Sequence, residues 1–192
     1  MISLQVPYSP LLWVDVSADD AALMETINTL AEVSEAAFDK QTEFEELKAV
    51  AQECRPSIDV PLTLLMLTEP LQPSIVAYLS VFPASGAHEI IPLAQQAIGL
   101  ESPERLEEFE FETGDAGCRF MDFAPLSTLD DDFDPTVNGE DPYITSVCYH
   151  RLVTVGTDQY LVQIVSHSMR VEAAAVLDQQ FQEILGGLTL AA

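Results

Sequence analysis

Hydrophobic and polar positions change their period several times along the chain. Residues 11–16 form a short apolar run that predicts a first strand, with Trp13 in the core. Leu23, Ile27, Leu30 and Ala31 then recur at helical spacing, and Phe44, Leu47, Val50 and Ala51 do so again. Ser17 with Asp20 and Thr42 with Glu45 have the spacing of helix-capping pairs. Two helices follow, over 18–38 and 42–54, ended by Pro56. Residues 62–67 are nearly all apolar, and 74–82 are apolar on both alternating faces, so the second of these strands is expected to be covered on both sides. A short helix over 91–98 suits Pro92 in its first turn.

Strict alternation sets Phe109 and Phe111 against Glu108, Glu110 and Glu112. That pattern predicts a half-exposed strand, and the carboxylates protect an edge from unwanted pairing. A turn at 113–117 returns the chain into a strand over 118–123. Residues 143–155 and 159–168, rich in β-branched and aromatic side chains, predict a second hairpin. With Gly156 opposite Gln159, Val155 faces Tyr160, His150 faces Val165 and Cys148 faces His167. Val171, Ala174, Leu177, Phe181, Ile184 and Leu185 lie along one stripe of a closing helix, with Asp178 and Glu183 toward solvent and Gly186-Gly187 as its stop. Ser166 or Ser168 is placed to cap that helix. The order of elements predicts an α+β domain: an antiparallel β-sheet flanked by helices, with an N-terminal helical pair. The expected organisation is a single domain over 1–192, comprising an N-terminal strand and helices (1–57) and a sheet core with the C-terminal helix (58–192).

Charge narrows the functional classes. The 192 residues carry 32 acidic and 7 basic side chains, a formal net charge of −25. Such a chain repels phosphate backbones and anionic membranes, so nucleic acid and membrane surfaces are disfavoured partners. A basic protein partner fits the charge, but solubility or adaptation to salt is the plainer account and is favoured over it. Residues 1–16 lack the features of a signal peptide, and no apolar run is long enough to span a membrane. Cys54, Cys118 and Cys148 are widely spaced and odd in number, as free thiols of a reducing cytoplasm are. The expected localisation is cytoplasmic.

Candidate chemistry is sparse. The hairpin register gathers Cys148, His150 and His167 on one sheet face, offering a Cys/His nucleophile pair or a soft-metal site. The spacing favours the plainer arrangement, a buried thiol beside two satisfied imidazoles, because tetrahedral zinc needs three or four fixed ligands and no Cys-x-x-Cys is near. Asp130, Asp132 and Asp134, with Asn138, Gly139, Glu140 and Asp141, resemble the opening of an EF-hand loop. Pro135 stands where the glycine turn is needed and Asp141 replaces the closing Glu, which favours a flexible acidic insertion over a calcium site. Arg119 fits a salt bridge to a neighbouring acid better than an anion site, and His88 reads as an exposed imidazole. Phosphate-loop, dinucleotide-binding, nucleophile-elbow and zinc-protease motifs are absent from the sequence. No catalytic, cofactor-binding or metal-binding residue is assigned, and no cofactor is expected.

A family resemblance joins several of these stretches. They are residues 73–82, the helix at 91–98, Asp115-Ala116-Gly117-Cys118-Arg119-Phe120, the hairpin over 143–168, and Phe181-Gln182-Glu183-Ile184-Leu185-Gly186-Gly187-Leu188. Together they resemble the PsbP-like fold, named for a photosystem assembly protein, over residues 60–190. The chain is also similar to uncharacterised actinobacterial proteins of that plan, which begin with a Trp-bearing strand and carry a Gly-x-Arg strand. The resemblance implies an α/β sandwich and no particular reaction; members of the fold mostly act as binding or assembly factors. The leading expectation is therefore a non-catalytic protein-binding or accessory factor. An acidic secretion-type chaperone and a Cys/His-dependent enzyme or metal-binding protein are the alternatives.

Overall fold

The structure is a computed structural model. It describes residues 3–9, 12–16, 18–33, 39–54, 61–69, 72–84, 89–100, 103–128, 141–169 and 172–191. His88, Ser17, Pro56, Val171 and the Asp130, Asp132, Asp134 and Pro135 segment lie outside them. The class is α+β, with antiparallel strands flanked by helices. The chain gathers into two compact units, residues 7–80 and residues 1–6 with 81–192.

In the first unit, β2 (Trp13–Asp15) pairs with β3 (Leu62–Glu69), and β3 pairs with β4 (Gln72–Pro83), all antiparallel. The unit boundary falls within β4, after Ser80. Helices α1 (Asp20–Val33) and α2 (Lys40–Glu53) bring Leu23, Ile27, Leu30, Phe44 and Leu47 onto Val14, Leu65 and Leu67. Trp13 is fully buried, as its place in the apolar run implies. The helix starts differ from the capping pairs read in the sequence. Asp39 caps α2, its carboxylate accepting from the Gln41 and Thr42 amides, and Asp19 accepts from the Ala22 amide at the start of α1. Thr42 lies inside its helix because Asp39, a stronger cap, precedes it. β4 is also less two-sided than expected. Ile75, Ala77 and Leu79 are buried, whereas Val76, Tyr78 and Ser80 are half-buried and Phe82 is exposed.

In the second unit the strand order is β8-β7-β6-β5, formed by β5 (Glu107–Glu110), β6 (Ala116–Pro125), β7 (Tyr143–Val155) and β8 (Asp158–Ser168). β5 is an edge, and Glu108 and Glu110 are exposed there. Helix α3 (Ile90–Ile98) lies on one sheet face, where Ile90 and Ala94 pack with Cys118, Leu152 and Leu161. Helix α4 (Ala173–Gly187) covers the other face through Leu177, Phe181, Ile184 and Leu185. Short strands β1 (Ser3–Gln5) and β9 (Thr189–Ala191) pair with each other.

The β7–β8 register is slid by two residues from the sequence expectation. Val155 faces Asp158 and the loop is Gly156-Thr157, so His150 faces Gln163, Cys148 faces Val165 and Ser146 faces His167. Gly156 has φ +63°, the sign that primed hairpin turns require and glycine supplies without strain. A slide of two keeps every side chain on its expected face; a slide of one would have reversed them all.

Two arginines anchor α4. Arg151 is buried in the middle of β7, its guanidinium donating to the carbonyls of Leu185, Gly186 and Leu188 and to Thr113 and Asp115 in the β5–β6 turn. These contacts satisfy carbonyls that a helix end leaves open, and the cation complements the negative end of the helix dipole. Gly186 and Gly187 therefore lie within α4, and its cap is Leu188. Arg119 joins Glu107 at 2.7 Å and Asp178 at 3.0 Å, as a salt-bridge reading implies. Asp178 is not turned to solvent: it also accepts from the Tyr149 hydroxyl, because the α4 face of β7 carries a polar group beneath it. The N-cap position of α4 is Glu172, which makes no side-chain cap bond; Ser166 and Ser168 lie earlier, within β8. Gly117 leaves room for Phe109 and Phe111, since a Cβ there would come within 2.7 Å of the Phe111 ring.

Replacing Arg151 with Met keeps the volume and strands Asp115 and the helix carbonyls. The expected loss is about 3 kcal/mol, the low end for breaking a buried pair because Asp115 is partly open to water. Lys48→Met, at the exposed pair with Asp20, should cost less than about 1 kcal/mol. Urea unfolding of both variants checks the contrast; equal losses would contradict it.

Candidate functional site

The face that α3 covers carries the side chains with chemical range. β7 places Ser146, Cys148 and His150 on it by alternation, β8 adds Gln163, Val165 and His167, and β6 adds Cys118, Phe120 and Asp122. Past the C-terminal end of α3 these strands floor a cavity of about 640 Å³. Ile98, Gly99 and Leu100 form one wall, and Arg105 with Asp122 stands at another. Gly99 ends α3 in the left-handed conformation, φ +66°, which turns the chain away and leaves the floor uncovered.

The three residues singled out in the sequence do share this face, but not one centre. Cys148 and His150 are neighbours on β7, with Sγ 3.7 Å from Nε2. His167 sits opposite Ser146, whose hydroxyl is 2.8 Å from its Nδ1. Among the described residues no three His, Cys, Asp or Glu side chains are grouped to hold a metal ion. The Gln163 amide, absent from the sequence reading, binds the pair together: Nε2 lies 3.2 Å from His150 Nε2 and 3.5 Å from Cys148 Sγ. It donates to His150 Nε2, which leaves the ring proton of a neutral imidazole on Nδ1.

Burial sets the protonation states. It pushes the Cys148 thiol up to about 12, against a smaller opposing pull from the Gln163 amide. It pulls His150 down to about 4. Proton transfer from thiol to imidazole is therefore strongly uphill, the reverse of an activated nucleophile pair. Cys118 is likewise raised to about 12, first by burial and then by Glu108. His167 is lowered by desolvation of its inner side, although much of the ring is open to solvent at the cavity rim.

The remaining lining is apolar or neutralised. Arg105 pairs with Asp122 at 2.5 Å and lies 4.9 Å above the Phe120 ring. Asp141, read in the sequence as the end of an acidic loop, binds the Ser127 amide at 3.1 Å and the Ser127 hydroxyl at 2.5 Å. Phe120, Asp122 and Arg105 had no signal as site residues. A polar break in an otherwise apolar row, Ser146 and Gln163, was the available one. Compared with protein-family models and with curated proteins, the chain matches none.

His150 makes stability pH-dependent in a defined direction. Its folded pKa lies near 4 and its ordinary value is 6.5, so the unfolded chain binds the extra proton between them. Stability from this residue is full above pH 6.5 and is lost as the pH falls through 4, on the order of 3 kcal/mol in all. In His150→Gln the thermal midpoint should fall less steeply over that window than in the parent chain. Parallel acid profiles would contradict the assignment.

Proposed function

We propose that the protein is a non-catalytic binding or accessory factor of the cytoplasm that engages a basic protein partner. The observation that carries this reading is how the charges are distributed. Lys48, Arg105, Arg119 and Arg151 are each tied to an acid of the same chain. The outward carboxylates have few cations left to meet them, against 32 acidic side chains in all. Glu45, Glu46 and Glu53 on α2 and Glu108, Glu110 and Glu112 around β5 are exposed. Such a surface steers cationic partners and repels nucleic acid. Burial keeps Cys148 and His150 neutral, which argues against the alternative of a Cys/His nucleophile pair. The element order of residues 81–192, a helix, two hairpins and a closing helix, supports the PsbP-like reading, whose members mostly bind or assemble.

The test is a native pull-down from the source lysate with the chain tagged at its C-terminus, eluted by salt and read by mass spectrometry. One stoichiometric basic protein is expected, released as salt rises from about 0.1 to about 1 M and the screening length falls from about 10 to about 3 Å. Glu108→Lys, Glu110→Lys and Glu112→Lys combined should weaken its capture at least tenfold. A partner held through 1 M salt, or no stoichiometric partner, would overturn the reading.

A further inference from the structure

The α3 face of the second unit changes character along the same strands. Beneath α3 it is apolar, with Cys118, Leu152 and Leu161 packed on Ile90 and Ala94. Beyond α3 it presents Ser146, Cys148 and Gln163 to the cavity. A sheet face turned to water would expose these groups, and a face turned into a core would be apolar. They are neither: Ser146 and Gln163 are 7% exposed and Cys148 is 2% exposed. Polar side chains held this deep, facing an open volume of about 640 Å³, form a recess whose size lies within the range of small-molecule sites.

We propose that this recess binds a small molecule without a negative charge, with a fused aromatic or heteroaromatic ring and a ring N–H, of the size class of an indole or a purine base. The walls select the ring. Ile98 and Val165 are aliphatic, and the Arg105 guanidinium lies 4.9 Å over the Phe120 ring, so a cation and an aromatic face line the recess together. The polar groups select the edge. The α3 end, at Ile98 and Gly99, presents the carbonyl-rich, negative end of a helix, which favours a donor on the guest. On the floor the Gln163 amide nitrogen is engaged by His150 and the Ser146 hydroxyl by His167, so the acceptor the floor retains for that donor is the Gln163 amide oxygen. The lining selects against a negative charge on the guest. Arg105 is neutralised by Asp122, and a net charge of −25 repels anions at a distance. This inference stands apart from the protein-partner reading, since neither requires the other.

The experiment uses indole as the probe, with indole-3-carboxylate as its charged counterpart, on the full chain with labelled methyl groups. Indole should shift the methyl resonances of Ile98, Leu100 and Val165 saturably, with a Kd of about 1 mM, ordinary for so small a ligand. The carboxylate should bind at least tenfold more weakly. Val165→Trp fills the floor and Ala97→Leu fills the cavity from the helix side, where the residue replaced is only half-buried; whichever folds should weaken indole binding at least tenfold. Met121→Ala, on the opposite sheet face, should leave it unchanged. The proposal is overturned if the cavity methyls do not respond or respond without saturation. Tighter binding of the carboxylate, or unchanged binding in a folded cavity-filled variant, would overturn it as well.

Discussion

The buried guanidinium of Arg151 is the contact on which the second unit depends. It sits in the central part of β7, beneath the C-terminal end of α4, and reaches the turn between β5 and β6. One side chain thereby joins a helix end, a hairpin turn and the strand between them. Burying a cation is costly unless its donors are met, and here they are met by three helix-end carbonyls, a hydroxyl and a carboxylate. The Phe111 ring packs against the same guanidinium at 5.4 Å. In a chain with 32 acidic side chains, the surrounding field also favours a cation at this point.

The consequence is a division of labour between the two faces of one sheet. On the α4 face, Arg151 is met by Asp115, Thr113 and the helix-end carbonyls, Arg119, Asp178 and Tyr149 satisfy one another, and Tyr149 packs edge-on with Phe109 and Phe181. Beneath α4 these side chains are occupied with holding the helix. On the other face α3 is short, ends at Gly99, and leaves the floor of the recess open. The chemically versatile residues fall on the open face. Burial without a charged neighbour nonetheless keeps Cys148 and His150 neutral, so the pair is not poised for nucleophilic attack.

Much of this was legible in the sequence, for definite reasons. Alternation in 143–168 and the helical stripe of Leu177, Phe181, Ile184 and Leu185 report a two-fold and a 3.6-fold period, which survive whatever surrounds them. The face shared by Cys148, His150 and His167 was right even though the register was slid by two, because faces depend only on parity. Interactions between distant elements left no such trace. Asp178 read as a solvent residue because its partners, Arg119 and Tyr149, come from other strands. Gly186-Gly187 read as a helix stop because the sequence does not reveal that Arg151 holds the carbonyls beyond it. The recess depends on where α3 ends relative to β6, β7 and β8, a length relation with no local signature.

The reading of Cys148 and His150 as an unactivated pair rests on two protonation states, and both are directly observable. The measurement is a long-range proton–nitrogen correlation spectrum of the histidine rings at pH 7, combined with the Cβ shift of Cys148. The account predicts a neutral His150 ring, protonated on Nδ1 and bare on Nε2 where Gln163 donates, beside a protonated thiol. An imidazolium at His150 paired with a thiolate at Cys148 would contradict it and return the pair to nucleophilic chemistry.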